Sequence, residues 1–334
     1  MTLRLGINGF GRIGRAVLRA SLDKRFSDME IVAVNDLCDV ESNHHLLKYD
    51  SVHGRLSQST QLTGNIMKLG DRSITFLAKR DPSTIEWGAL GVDIVLECTG
   101  IFRKREQAEL HIKGGAKKVL ISAPATGEDI TVVKGVNCSK LKPEHTIVSN
   151  GSCTTNCLAP VAKVIHEKFG IINGMMTTIH SYTRDQQLLD SPHDDMRRAR
   201  AAAMNMVPTT TGAAKAIGLV MPELKGKLDG KSIRVPTPNV SLVDVTFNLE
   251  KSTTSEAINQ ALKFASENGS LQGILGYTDE PLVSIDFNGD TRSSIVDGPS
   301  TSVMSGNFAK ILSWYDNEIG FSNRMLDIAL LMAK

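Results

Sequence analysis

Hydrophobic positions change rhythm part-way along the chain. In the first 150 residues they come as short, nearly continuous runs: Leu3-Arg4-Leu5-Gly6-Ile7, Ile31-Val32-Ala33-Val34, Val92-Asp93-Ile94-Val95-Leu96, Lys118-Val119-Leu120-Ile121 and Thr146-Ile147-Val148. Strands this apolar are covered on both faces, as in a parallel sheet with crossover helices. Ile13, Ala16, Val17 and Ala20 recur at helical spacing, so the chain opens strand, turn, helix. Residues 65–77 read as an inserted hairpin turning at Gly70-Asp71. After residue 150 the grammar differs: Val243, Val245, Phe247 and Leu249 alternate with Asp244, Thr246, Asn248 and Glu250, which predicts a strand with one wet face, as antiparallel sheets use. Residues 253–267 read as a helix opened by Thr254 or Ser255. Residues 320–333 read as a last helix, with Phe321, Met325, Ile328, Ala329 and Met332 along one side.

The turn after the first strand adds chemistry to this pattern. Gly9-x-Gly11-x-x-Gly14 lies between strand and helix, and Asp36 closes the next strand. The first glycine permits a tight turn, the second lets a pyrophosphate approach the backbone, and the third lets the helix pack closely, while the helix N-terminus supplies amide donors. Asp36 would take the ribose hydroxyls and repel the extra phosphate of NADP, which favours NAD. The first half is therefore expected to be an α/β Rossmann-type dinucleotide-binding domain, and the second an α+β domain with a mostly antiparallel sheet.

Composition narrows the function classes. With 38 basic and 36 acidic residues the formal charge is +2, so nothing global points to nucleic acid or an anionic membrane. No apolar run reaches the roughly 18 residues of a membrane span, and the N-terminus enters a strand pattern without a signal-peptide core, which reads as cytoplasmic. Five cysteines, at 38, 98, 138, 153 and 157, are an odd number in a chain of 334 residues and do not suggest a disulfide framework. The CxxxC spacing lacks a second Cys/His pair, so no metal is expected. Cys38, Cys98 and Cys138 read as small buried hydrophobes.

SNGSCTTNC, residues 149–157, is the second chemical feature. A strand ending at Ser149, a turn at Asn150-Gly151 and a helix from Ser152 place Cys153 at a helix N-terminus, where the field is expected to lower the thiol pKa. From this stretch alone Cys153 is either a nucleophile or a packed thiol beside a Ser/Thr cap. Cys157, one turn deeper, reads as packing. A base is offered by His180, at the end of the run 175–179 and followed by the polar loop Ser181-Tyr182-Thr183-Arg184-Asp185. Thr209-Thr210-Thr211-Gly212 has the hydroxyls and backbone freedom for a small anion, and Arg234 has the planar fork for a phosphate. Arg197-Arg198-x-Arg200 reads as a solvated face or a subunit contact.

These pieces, with NGFGRIGR at 8–15, HSYTRDQ at 180–186, RRARAAA at 197–203, TTTGAAKA at 209–216, RVPTPNVS at 234–241 and SWYDNEIGFSNR at 313–324, together resemble the glyceraldehyde-3-phosphate dehydrogenase family over nearly the whole chain. The resemblance implies oxidation of glyceraldehyde 3-phosphate with NAD and inorganic phosphate. Cys153 would be the nucleophile that forms a thiohemiacetal and then a thioester, and His180 the base. It further implies that Thr183 and Arg234 hold the substrate phosphate, that Ser152, Thr154, Thr211 and Gly212 hold the attacking one, and that Arg12, Ile13, Asp36, Arg80, Ser122 and Asn317 contact NAD. Asn317 would bring the end of the chain back to the first domain, giving expected domains of 1–151 with 316–334 for NAD and 152–315 for catalysis. A homotetramer is implied, with residues near 183–203 at a subunit interface. Ser191-Pro192 stands where some strictly NAD-dependent members have Leu-Pro, which leaves room for NADP. The sister erythrose-4-phosphate dehydrogenase shares nucleophile, base and nucleotide site, but Thr183 and the TTTGAA run favour the glyceraldehyde reading.

Overall fold

A computed structural model describes residues 2–334. Its contacts divide the chain into two units, one comprising the chain through Val132 with Cys138–Gly151 and Ser322–Lys334, the other Val133–Asn137 with Ser152–Phe321.

The first unit runs β1 (Leu3–Asn8), α1 (Arg12–Ala20), β2 (Met29–Asn35), α2 (Val40–Lys48), β3 (Tyr49–Asp50), β4 (Gly54–Arg55), β5 (Thr60–Thr63), β6 (Ile66–Leu69), β7 (Arg72–Leu77), β8 (Ile94–Glu97), α3 (Arg105–Lys113), β9 (Lys118–Ile121), β10 (Ile130–Thr131) and β11 (Ile147–Ser149). Its main sheet has the order β10-β11-β9-β8-β1-β2-β7-β6-β5. From β10 to β7 every neighbouring pair is parallel, so the carboxyl ends of these strands share one edge. The inserted hairpin is present as β6 and β7, and β5 adds a further antiparallel strand that the polar stretch Thr60–Thr63 had not announced. β1 lies between β2 and β8, so the strand order reverses there, and a crevice opens outside the carboxyl ends at such a switch point.

The second unit runs α4 (Cys153–Phe169), β12 (Ile171–Ser181), β13 (Val207–Thr210), α5 (Ala213–Val220), β14 (Leu228–Val235), β15 (Ser241–Leu249), α6 (Ser255–Glu267), β16 (Leu275–Thr278), β17 (Ser294–Asp297), β18 (Ser302–Met304) and β19 (Phe308–Tyr315). Its sheet is mostly antiparallel, but β12–β14 and β16–β17 are parallel. The period-two pattern of β15 is realised as strict alternation of buried and half-buried residues. Leu158, Val161, Ile165, Ile217, Ile258 and Leu262 from the helices form one core with Met176, Val243, Val245, Phe247 and Ile311 from the sheet. Each such side chain contributes about 1.5–3 kcal/mol on burial. Thr254 caps α6 by accepting from the Ala257 amide at 3.2 Å. The last helix, α7 (Ile319–Met332), supplies its residues from Ser322 onward to the first unit.

Candidate active site

The glycine turn after β1 shows why each glycine is there. Gly9 has φ +92°, and a Cβ on it would lie 2.7 Å from the amide nitrogen of Thr99. A Cβ on Gly14 would lie 2.2 Å from the carbonyl oxygen of Gly9, so only glycine lets α1 approach the turn this closely. Gly11, the residue before α1, differs: a Cβ there meets nothing within 4 Å. Among the described residues no side chain caps α1 and no acid sits in its first turn. Open space above Gly11 and a helix N-terminus with no acid in its first turn are what a pyrophosphate requires, so the turn fits a dinucleotide. Replacing Gly14 with Ala is expected to cost about 1–3 kcal/mol of stability by overpacking and to weaken NAD binding. Calorimetry and a fluorescence titration with NAD would check both.

Of the other residues expected to meet NAD, Asp36, Arg80 and Ser122 follow β2, β7 and β9 along the same sheet edge. Asp36 follows β2 and ties it to the glycine turn, accepting from the Phe10 amide at 2.7 Å and the Cys38 amide at 2.9 Å. Arg80 is exposed just beyond β7, and Ser122 follows β9, its amide donating to the Glu97 carbonyl at 3.0 Å. Arg12 opens α1 with an ion pair to Asp50 at 2.6 Å, and Ile13 is half-buried beside it. Asn317 belongs to the second unit, where its Oδ1 accepts from Ser241 Oγ at 2.8 Å. That contact fixes which way its amide faces.

Gly151 (φ +64°) turns the chain out of β11 at the end of the first unit, and at the start of the second Ser152 caps α4 by accepting from the Thr155 amide at 3.0 Å. Cys153 is therefore the first residue of α4. Its Sγ lies 3.5 Å from Nε2 of His180, the buried penultimate residue of β12. The parallel pairing of β12 with β14 sets Arg234 directly opposite His180. Ser181 O lies 2.7 Å from His180 Nδ1, and Arg234 Nη1 lies 2.9 Å from Nδ1 and 3.2 Å from that same carbonyl. Ser181 O can only accept and Arg234 can only donate, so when Nδ1 carries its proton toward Ser181 O, the shorter of the two contacts, Arg234 donates to the carbonyl and the Nε2 lone pair faces the thiol. Tyr315 presents its ring edge to His180 at 5.9 Å, and its hydroxyl is shared with Thr154 and Thr178, each at 2.8 Å.

The electrostatics correct one expectation. The helix N-terminus was expected to lower the Cys153 pKa, but burial raises it, against the pull of the Arg234 charge and of hydrogen bonds from Thr154. Burial, and then the Arg234 charge, drive His180 down to about 3. Across the neutral range the resting pair is therefore a thiol beside a neutral imidazole, and passing the proton from Sγ to Nε2 creates no net charge.

Around this pair the expected phosphate residues occupy varied settings. Thr154 is buried with its hydroxyl turned to Tyr315. Thr183 is half-buried two residues beyond β12, and its amide donates to Gln186 Oε1 at 3.4 Å. Thr211 and Gly212 lead into α5, where Thr211 Oγ1 accepts from the Ala213 amide at 3.2 Å. Arg198 is more than a solvated arginine: it pairs with Asp185, donates through Nε to Thr209 Oγ1 at 2.9 Å, and reaches the Thr210 carbonyl at 3.3 Å. Only the long-range pairing of its loop with the threonine run reveals that role. Among the cysteines, Cys157 is buried as expected, with Sγ 3.5 Å from Ser294 Oγ and its pKa pushed up to about 12 by burial. Cys38 is exposed, contrary to expectation, because it sits in the polar loop after β2; Cys98 and Cys138 are half-buried. Among the described residues no group of three or more His, Cys, Asp or Glu could hold a metal ion, and no helix is long and apolar enough to cross a membrane.

A parallel sheet with a glycine turn at its switch point defines an NAD-binding oxidoreductase. More narrowly, the chain belongs to the glyceraldehyde-3-phosphate dehydrogenase family. Residues 3–105 match the family described as glyceraldehyde 3-phosphate dehydrogenase, NAD binding domain, and residues 152–317 match glyceraldehyde 3-phosphate dehydrogenase, C-terminal domain. The chain is 59% identical to glyceraldehyde-3-phosphate dehydrogenase of Geobacillus stearothermophilus over 334 residues, which covers 100% of this chain and 99% of that one. It is 58% identical over 335 residues to glyceraldehyde-3-phosphate dehydrogenase 1 of Bacillus subtilis (strain 168), covering 100% and 99%. It is 55% identical over 333 residues to glyceraldehyde-3-phosphate dehydrogenase of Streptomyces coelicolor, covering 99% of each.

Proposed function

We propose that this protein oxidises D-glyceraldehyde 3-phosphate to 1,3-bisphosphoglycerate with NAD and inorganic phosphate, and that Cys153 and His180 carry the chemistry. The observation behind this reading is the 3.5 Å approach of His180 Nε2 to a thiol at the head of α4. Cys153 Sγ attacks the aldehyde carbon as Nε2 takes the thiol proton, which passes to the carbonyl oxygen to complete a thiohemiacetal. His180 then removes the hydroxyl proton as hydride leaves the carbon, and the adduct becomes a thioester. NAD, held by Arg12, Ile13, Asp36, Arg80, Ser122 and Asn317, supplies the hydride acceptor. An oxygen of inorganic phosphate attacks the thioester, the C–S bond breaks, and the acyl phosphate departs while the sulfur regains its proton.

Thr183 and Arg234 hold the substrate phosphate in this reading, and Ser152, Thr154, Thr211 and Gly212 the attacking one. NAD binding is assigned to 1–151 with 316–334, and catalysis to 152–315. Arg234→Leu is then expected to raise the KM for the aldehyde phosphate by about tenfold or more, the size of a lost charged hydrogen bond. A steady-state assay with glyceraldehyde 3-phosphate and erythrose 4-phosphate, each with NAD and NADP and with and without phosphate, tests the whole reading. Phosphate-dependent NADH formation from the three-carbon substrate is expected, and preference for the four-carbon one would overturn it. We place the protein in the cytoplasm, where five free thiols suit a reducing compartment. We also propose a homotetramer: Leu188, Leu189, Met196, Met204 and Met206 are all at least 71% exposed within one loop region, which a partner subunit would cover. Light scattering would give the mass.

A further inference from the structure

A buried carboxylate lies beneath the dinucleotide turn, and its hydrogen bonds can run in one direction only. Asn8, Asn35 and Glu97 end β1, β2 and β8; Asn8 pairs in register with both of the others, and all three are at most 4% exposed. The row therefore crosses the switch point between β1 and β8.

Each direction follows from a group that can only donate. The Lys79 amide donates to Asn35 Oδ1 at 2.8 Å, which fixes the Asn35 amide. Asn35 Nδ2 then donates to the Lys79 carbonyl at 2.9 Å and to Asn8 Oδ1 at 2.8 Å. Asn8 Nδ2 is left to donate to Glu97 Oε2 at 2.6 Å. From the other side, the Trp87 indole donates to His111 Nδ1 at 3.0 Å, so the imidazole proton sits on Nε2 and points at Glu97 Oε2, 3.1 Å away. The Thr99 amide donates to Glu97 Oε1 at 2.8 Å, and the Thr99 hydroxyl, which accepts from the Ile101 amide, also donates to it. Glu97 is called on only as an acceptor, from four donors, at a site 1% exposed.

We infer that Glu97, with His111 held in one tautomer by Trp87, is a positioning residue for the NAD site. The relay joins three turns that frame the cradle: the glycine turn through Asn8, the Lys79-Arg80 segment through Asn35, and Thr99, whose amide abuts Gly9. This inference rests on the assignment of those turns to NAD.

The experiment is NAD affinity, read by fluorescence titration, in the full-length wild-type protein and Glu97→Gln, with steady-state kinetics on both. A glutamine at 97 presents an NH2 to at least one group that can only donate, whichever way it is turned. Its NAD dissociation constant is expected to rise about tenfold, the size of one misplaced buried hydrogen bond, with KM for NAD rising in parallel and kcat at saturating NAD nearly unchanged. A purely structural carboxylate would instead lower the folded fraction and kcat and leave KM for NAD unchanged. Asn35→Ala, which cuts Lys79 from the relay and leaves the carboxylate's donors intact, carries the test should Glu97→Gln fail to fold, and it too should lose NAD affinity. Wild-type affinity in both Glu97→Gln and Asn35→Ala, or a loss of kcat with KM for NAD unchanged, overturns the inference. A wild-type protein that does not bind NAD would instead sink the cofactor assignment itself.

Discussion

Cys153→Ser is expected to abolish NADH formation from glyceraldehyde 3-phosphate while NAD still binds. The serine hydroxyl keeps the position at the head of α4 and the neighbourhood of His180 Nε2, so the geometry survives. What goes is the nucleophile: an alkoxide is far less accessible than a thiolate at neutral pH, and the thioester that phosphate must cleave cannot form. A loss of at least about 10⁴-fold in kcat is expected. Parallel measurement of turnover and NAD titration checks it, and turnover within tenfold of wild type would show that Cys153 is not the nucleophile.

His180→Asn is expected to have the next largest effect, about 10²–10⁴-fold in kcat, the usual worth of a positioned acid–base group. Its pH behaviour is more diagnostic than its size. In the wild type, burial holds His180 down at about 3 and pushes the Cys153 thiol up, so over the neutral range the resting pair is a thiol beside a neutral imidazole that can accept its proton during attack. Alkylation of Cys153 by iodoacetamide should then draw on Nε2 as the acceptor of the thiol proton, which keeps the wild-type rate at pH 7 above that of the variant. Without the imidazole the thiol must ionise alone in a buried site, so alkylation of the variant should be slow at pH 7 and climb as pH rises. Equal rates and equal pH profiles for the two proteins would remove His180 from the base role.

How much of this was legible beforehand varied with the range of the interaction. The strand, glycine turn and helix around Gly9, Gly11 and Gly14, and the strand, turn and helix around Cys153, are local events with local signals, and both were readable from spacing. The alternation at Val243, Val245, Phe247 and Leu249 likewise gave the buried face of β15. Contacts set by pairing of distant segments were not readable. Nothing in the run 228–235 says that it lies parallel to β12, yet that pairing alone puts Arg234 opposite His180. The direction of the thiol pKa was misjudged for a related reason: a helix end shows in the sequence, whereas desolvation depends on everything packed around Sγ. Arg198 and Glu97 were missed because an arginine in a basic run and a glutamate at a strand end have no local mark of what they meet. The exposure of Cys38 is not legible from composition, which gives a residue's average environment and not its loop.

The most direct test of the account is the mass of the protein after mixing with glyceraldehyde 3-phosphate and NAD in the absence of phosphate. The account predicts a 3-phosphoglyceroyl thioester that peptide mapping places on Cys153 and that added phosphate discharges. NADH formed with no acylated protein, or an acyl group on another cysteine, would contradict it.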